Sequence, residues 1–122
     1  MRSLFRRLLP FVPVLCLFVA GVPMAAARAP RSYLATITDT ECGPSHARML
    51  ATGKMGTTDA ECTVACVKRG ATYGAIVRVG GKPKFLQLDD QERPAPFAGK
   101  RVRIWGRIDG DTLLVDHIEP AR

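Results

Sequence analysis

The stretch Lys100–Ile118, KRVRIWGRIDGDTLLVDHI, decides the fold class. From Lys100 to Ile108 basic and apolar residues alternate, and a period of two is the signature of a strand with one buried face. Val102 and Ile104 fall on that face, while Lys100, Arg101, Arg103 and Arg107 fall on the other. Asp109-Gly110 is a strong hairpin turn signal, and Thr112–Ile118 returns as the partner strand.

Working back from this hairpin, the same period recurs. Tyr73–Val79 and Lys84–Leu88 read as strands joined through Gly80-Gly81, and Tyr33–Asp39 reads as another. Asp89–Gly99, with Pro94 and Pro96, reads as a loop. The pattern changes at Thr58-Asp-Ala-Glu61, which has the form of a capping box. Asp59 and Glu61 suit the positive end of a helix dipole, Lys68 and Arg69 suit the other end, and Gly70 is a left-handed stop. These signals predict a helix over 59–69, preceded by one or two helical turns within Ser45–Leu50. The expected fold is therefore mainly β with one helix. It would be a small antiparallel, OB-like Greek-key barrel of about five strands, with the helix inserted after strand 1. Val102, Ile104, Leu113, Val115 and Ile118 are the expected core, joined by Ile76, Val77, Phe85 and Leu88.

The start of the chain has a different logic. Arg2, Arg6 and Arg7 precede an apolar run from Leu8 to Val22, and Ala25-Ala26-Ala27 follows with small residues. That order is the order of an export signal, so 1–27 is expected to be a signal peptide and 28–122 a single domain. The run is short for a membrane span and is interrupted by Pro10, Pro13 and Pro23, so no span is expected in the mature chain. Taking those three arginines from the 18 basic residues leaves 15 against 11 acidic, a net charge of +4 in place of +7. The remaining basic residues are spread along the chain, which suits mild attraction to anionic surfaces and gives no strong nucleic-acid signal. The expected localisation is secreted or periplasmic.

The chemistry concentrates in 40–70. Cys42, His46, Cys62 and Cys66 lie here with Met49 and Met55, and no other cysteine follows residue 30. Both Cys42–His46 and Cys62–Cys66 are four-residue steps, which on a helix present two ligands on one face. Setting Cys62 at 0° on a helical projection places Cys66 at about 40°, and Ala60, Val64 and Val67 between about 140° and 200°. The thiols thus lie opposite the apolar stripe, and the Cys42–Met55 segment is the expected cover.

Three uses of this cluster remain open. Three thiolates and an imidazole form a tetrahedral set for Zn, and the soft sulfurs suit Cu as well, with Met49 or Met55 able to add a thioether. Alternatively, an oxidising compartment favours a disulfide from Cys42 to Cys62 or Cys66, closing a loop of about 20 residues and stabilising by about 3 kcal/mol in the chain-entropy account. A redox-active thiol pair is the third. A single metal site requires the Cys42 and His46 side chains to lie within about 8 Å of the Cys62–Cys66 face, because metal–ligand bonds are about 2.0–2.3 Å long.

The run YLATITDTECGPSH, followed by AECTVACVKRGATY and a β-rich tail, resembles a group of small secreted bacterial domains of unknown function. The pattern is D-[ST]-x-C-G-x-x-H and then C-T-x-x-C-V-x-x-G-A-x-Y. It is met here by Asp39, Thr40, Cys42, Gly43 and His46, then Cys62, Thr63, Cys66, Val67, Gly70, Ala71 and Tyr73. The resemblance implies an exported small β-domain and carries no activity with it.

No constellation for catalysis stands out, so no enzyme is expected. His117 reads as a surface residue, Asp89-Asp90 as a turn former, and Trp105 as an outward ring beside Arg103 and Arg107 or as packing against the helix. The leading expectation is an exported domain binding Zn or Cu through Cys42, His46, Cys62 and Cys66, in a structural or metal-handling role. The alternative is a disulfide-stabilised, non-enzymatic binding module of the cell envelope.

Overall fold

The computed structural model describes residues 28–122, so the expected signal peptide lies outside the described residues. The elements are β1 (Arg31–Asp39), α1 (Ala47–Leu50), α2 (Asp59–Lys68), β2 (Tyr73–Val79), β3 (Lys82–Leu88), β4 (Arg101–Asp109) and β5 (Thr112–Pro120), with a single 3-10 turn at Ala95–Phe97. The described residues are mainly β: five strands form one sheet, and α2 is the one helix of substantial length among them.

The pairings run β1-β2-β3-β5-β4 and return to β1, so the sheet closes on itself. Closure covers most strand edges, which otherwise invite pairing with other chains. One feature departs from an antiparallel expectation. β3 and β5 pair parallel, through Gln87↔Thr112 and Leu88↔Leu113, so the sheet is mixed. β4 pairs antiparallel with both β1 and β5, and the β3–β4 connection carries the chain across to that side, so β5 arrives running with β3. The contact with β5 covers only the end of β3, which leaves Lys82–Phe85 paired on one side and makes room for Pro83 in a strand.

Alternation fills the interior. Ala35, Ile37, Ala75, Val77, Leu86, Leu88, Val102, Ile104, Leu113, Val115 and Ile118 are buried in one core. Two expected core residues are corrected. Ile76 and Phe85 are only half-buried and lie opposite each other in the β2–β3 ladder, on the outer face; their neighbours Ala75 and Leu86 point inward. A strict period of two cannot bury both Ile76 and Val77, nor both Phe85 and Leu88. Phe85 instead lays its ring over Gly74, where a Cβ would collide with it.

Two glycines mark close approaches. Between Trp105 and Gly106 the β4–β5 register shifts, and a Cβ on Gly106 would run into the Leu114 carbonyl. Gly99 has φ +71° and sits against the Ala60 backbone, so the β3–β4 connection is pressed onto the first turn of α2. That connection is also fastened elsewhere: the Gln91 side chain accepts from Tyr73 N–H at 2.6 Å and donates to the carbonyls of Tyr73 and Leu88.

The helix begins as its capping box predicts. Thr58 Oγ1 accepts from Glu61 N–H at 3.2 Å, and Glu61 Oε2 accepts from Thr58 N–H at 3.2 Å. No helix among the described residues is long and apolar enough to cross a membrane.

Candidate metal centre

The centre is assembled where β1 ends. Asp39 is the last residue of that strand and is fully buried. Its Oδ1 accepts from Glu41 N–H at 3.0 Å and from Cys42 N–H at 2.8 Å, which turns the chain and fixes Cys42. Gly43 follows with φ +59° and donates its N–H to the Asp39 carbonyl, completing the reversal. Short polar side chains thus replace a strand partner at the point where β1 leaves the sheet.

α2 supplies the opposite wall. Cys62, Thr63 and Cys66 are its buried residues, whereas Val64 on the apolar stripe is 36% exposed. The helix therefore buries its thiol face, and the cover comes from the expected segment: Cys42, Met49, Leu50 and Met55 pack with Cys62 and Cys66 in a second, smaller cluster. Val67 alone reaches back to the main core from the stripe.

Cys42 Sγ lies 3.8 Å from Cys62 Sγ and 3.8 Å from Cys66 Sγ. No disulfide joins them, since an S–S bond is about 2.05 Å and all three are free cysteines. Two overlapping triads of possible ligands share Cys42: Cys42, His46 and Cys62, and Asp39, Cys42 and Cys66, each with ligand atoms within 4.8 Å of one another. Cys42 therefore lies within that reach of His46, Cys62 and Cys66, and it is the residue common to both triads.

His46 has a more constrained role than its spacing suggests. Its Nε2 lies 3.0 Å from Asp39 Oδ2, 3.1 Å from Thr63 Oγ1 and 3.3 Å from Thr38 Oγ1. Thr38 donates its own proton to the Gly43 carbonyl at 2.8 Å, so toward the ring it can only accept. A carboxylate and an accepting hydroxyl on one nitrogen place the ring proton on Nε2. The second nitrogen, Nδ1, lies 3.5 Å from Oδ1 of the exposed Asp59. A histidine whose one N–H is held by a carboxylate can offer only its other nitrogen to a metal, here Nδ1 on the Asp59 side of the ring. A groove of about 410 Å³ opens beside it, lined in part by Thr38, Pro44, His46 and Asp59.

Electrostatics separate the three uses of the thiols. Burial pushes Cys42 up to about 11 and Cys66 up to about 12, and raises Cys62 as well. The Cys62 sulfur and Asp39 add to the rise at Cys42, and the Cys42 sulfur and Asp39 add to it at Cys66. A reactive thiolate needs the reverse, a pKa lowered by nearby positive charge. Metal-free, these are three neutral, inert thiols, and only a bound cation would favour their ionised form.

Asp39, Thr38, Thr63 and Asp59 were not among the residues singled out as site residues. Asp39 carries a usable signal, since an aspartate at a strand end three residues before Cys-Gly marks a side-chain-bonded turn. Thr38 and Thr63 carry none, because a threonine within a strand or a helix reads equally as filler. Met55 is buried in the cluster, but its Sδ faces Arg69 Nη1 at 3.2 Å, and Met49 stands at the periphery. His117 is exposed, as expected, and its ring packs at a 42° tilt against Trp105 with centroids 5.3 Å apart, so Trp105 faces outward rather than toward α2.

A family described as a protein of unknown function (DUF5818) matches residues 85–121, from within β3 to the end of the last strand. The match includes none of the cysteines of the centre. No curated protein and no solved structure matches the chain.

Proposed function

We propose that this is an exported, OB-like small domain that binds a soft metal ion, Zn or Cu, at the cluster formed by Cys42, Cys62, Cys66 and His46. One observation carries the reading: the sulfur spacing of 3.8 Å from Cys42 to each helix cysteine. A tetrahedral ion with metal–sulfur bonds of about 2.3 Å holds its sulfurs about 3.8 Å apart. The order in which the five strands pair supports the OB-like description. The basic, apolar and small-residue order of 1–27 supports export, and with it a secreted or periplasmic location. The role is structural or metal-handling. The ion would tie the β1 exit to α2, and the small domain would gain a second centre of cohesion beside its modest core.

Native mass spectrometry of the purified mature protein, with a thiol count on the same sample, tests the reading. One Zn or Cu per chain with three reduced thiols is the expected result, and Cys42→Ser and Cys66→Ser should each abolish it. A metal-free protein two mass units light would instead mean a Cys42 disulfide and the binding-module alternative.

A further inference from the structure

The basic residues look scattered along the sequence, but the fold gathers four of them. Arg28, Arg31, Arg78 and Arg107 line one groove of about 460 Å³, with Tyr33 and Val79 among its other walls. The register explains the gathering. Arg31 at the start of β1 pairs with Gly106, which brings the end of β4 and Arg107 alongside. Ala35 pairs with Val77, which brings the end of β2 and Arg78 to the same side. The groove thus lies at the opposite end of β1 from Asp39 and the thiols, about 26 Å away for a nine-residue strand.

Among the described residues, none of these four guanidinium groups enters an ion pair. No acidic side chain lines the groove. Arg78 is held in place, since its Nη1 donates to the Gly81 carbonyl at 3.1 Å across the hairpin turn. Four like charges in one concave site repel one another, and the site gains most from a ligand that carries more than one negative charge on compact oxygens. Phosphate is that group: its oxygens match the planar fork of arginine, and it accepts from several forks at once. A carboxylate would leave most of the charge unmet. The groove is larger than phosphate alone requires, and Tyr33 and Val79 offer an apolar wall to whatever bears it.

We propose that this groove binds a phosphate-bearing ligand, with Arg31, Arg78 and Arg107 holding the phosphate and Arg28 closing the outer rim. The ligand is either a free phosphate ester or the phosphate of a lipid headgroup, and one experiment separates these sources. The purified protein is titrated calorimetrically with pyrophosphate, and in parallel with vesicles of phosphatidylglycerol diluted in phosphatidylcholine. The double variant R31A/R107A leaves the Gly80-Gly81 turn untouched and should weaken binding by at least about tenfold, as expected for losing charged hydrogen bonds. R28A, which lies outside the strands, should weaken it more mildly and guards against a folding defect in the double variant. R31K/R107K should restore part of the affinity. Binding of pyrophosphate that is lost in R31A/R107A supports a free phosphate ester, and binding of vesicles alone, lost in the same variant, supports a lipid headgroup. Equal binding by wild type and both alanine variants, or binding in neither arm, overturns the proposal.

Discussion

The Asp39 carboxylate makes three contacts at once, to Glu41 N–H, Cys42 N–H and the His46 ring. One carboxylate oxygen fixes the turn that presents Cys42, and the other holds the His46 ring. Replacing it with asparagine keeps the volume but puts an N–H donor, or a weaker acceptor, opposite either the turn or the ring. Asp39→Asn should therefore weaken metal binding by about 10–100-fold, the usual cost of losing a carboxylate that orients a ligand. Competition with a chelator of known affinity measures it, and an unchanged affinity would mean that His46 and Cys42 are positioned without Asp39. The residue is visible in the sequence as a turn former. Its second bond, to a ring seven positions on, depends on where α1 and α2 bring His46.

At the scale of elements, α2 depends on its first turn. Glu61 accepts from Thr57 N–H at 2.7 Å, from the Thr57 hydroxyl and from Thr58 N–H. These bonds, the Thr57 N–H foremost, hold its carboxyl below the usual carboxylate value of 4.5. A carboxyl whose folded pKa is lowered adds stability above its unfolded value and loses it as pH falls through the folded one. The melting temperature of wild type should thus exceed that of Glu61→Gln at neutral pH, and the gap should close as pH falls below 4.5. A gap independent of pH would mean that the charge on Glu61 plays no part. A second element-level contact is Gly99 against Ala60, where both the positive φ and the lack of space exclude a side chain. Gly99→Ala should cost at least about 2 kcal/mol in a denaturant titration, combining left-handed strain with displacement of the loop from the helix. The capping box and both hairpin turns were legible in sequence, because they are local patterns of a few residues.

For the whole molecule, the closed sheet separates two sites along β1, the sulfur cluster at one end and the arginine groove at the other. Metal binding at the first end must displace protons from thiols that burial keeps neutral at pH 7. The apparent affinity should rise with pH by about one log unit per pH unit for each thiol bound, and fall by the same amount on acidification. Titrations at several pH values measure that slope, and a slope of zero would show that no thiol is a ligand. R31A/R107A should leave the slope and the metal content unchanged, because the two sites lie at opposite ends of a rigid strand.

What the sequence determined by itself is the local grammar. Alternation around Val102, Ile104, Leu113 and Val115 names four core residues correctly, and the helix appears at 59–68 as its caps require. The choice between Ile76 and Ala75, or Phe85 and Leu86, was not legible, since apolar residues fill both phases of those strands and only the ladder decides which phase faces inward. The parallel β3–β5 contact and the gathering of the arginines were likewise decided by tertiary structure, because both arise from pairings between residues far apart in the chain. The cysteines stand between these cases. Their spacing marked them as partners, and the fold then set the 3.8 Å separations from Cys42 to each helix cysteine, unbridged, on which the proposed shared ion rests.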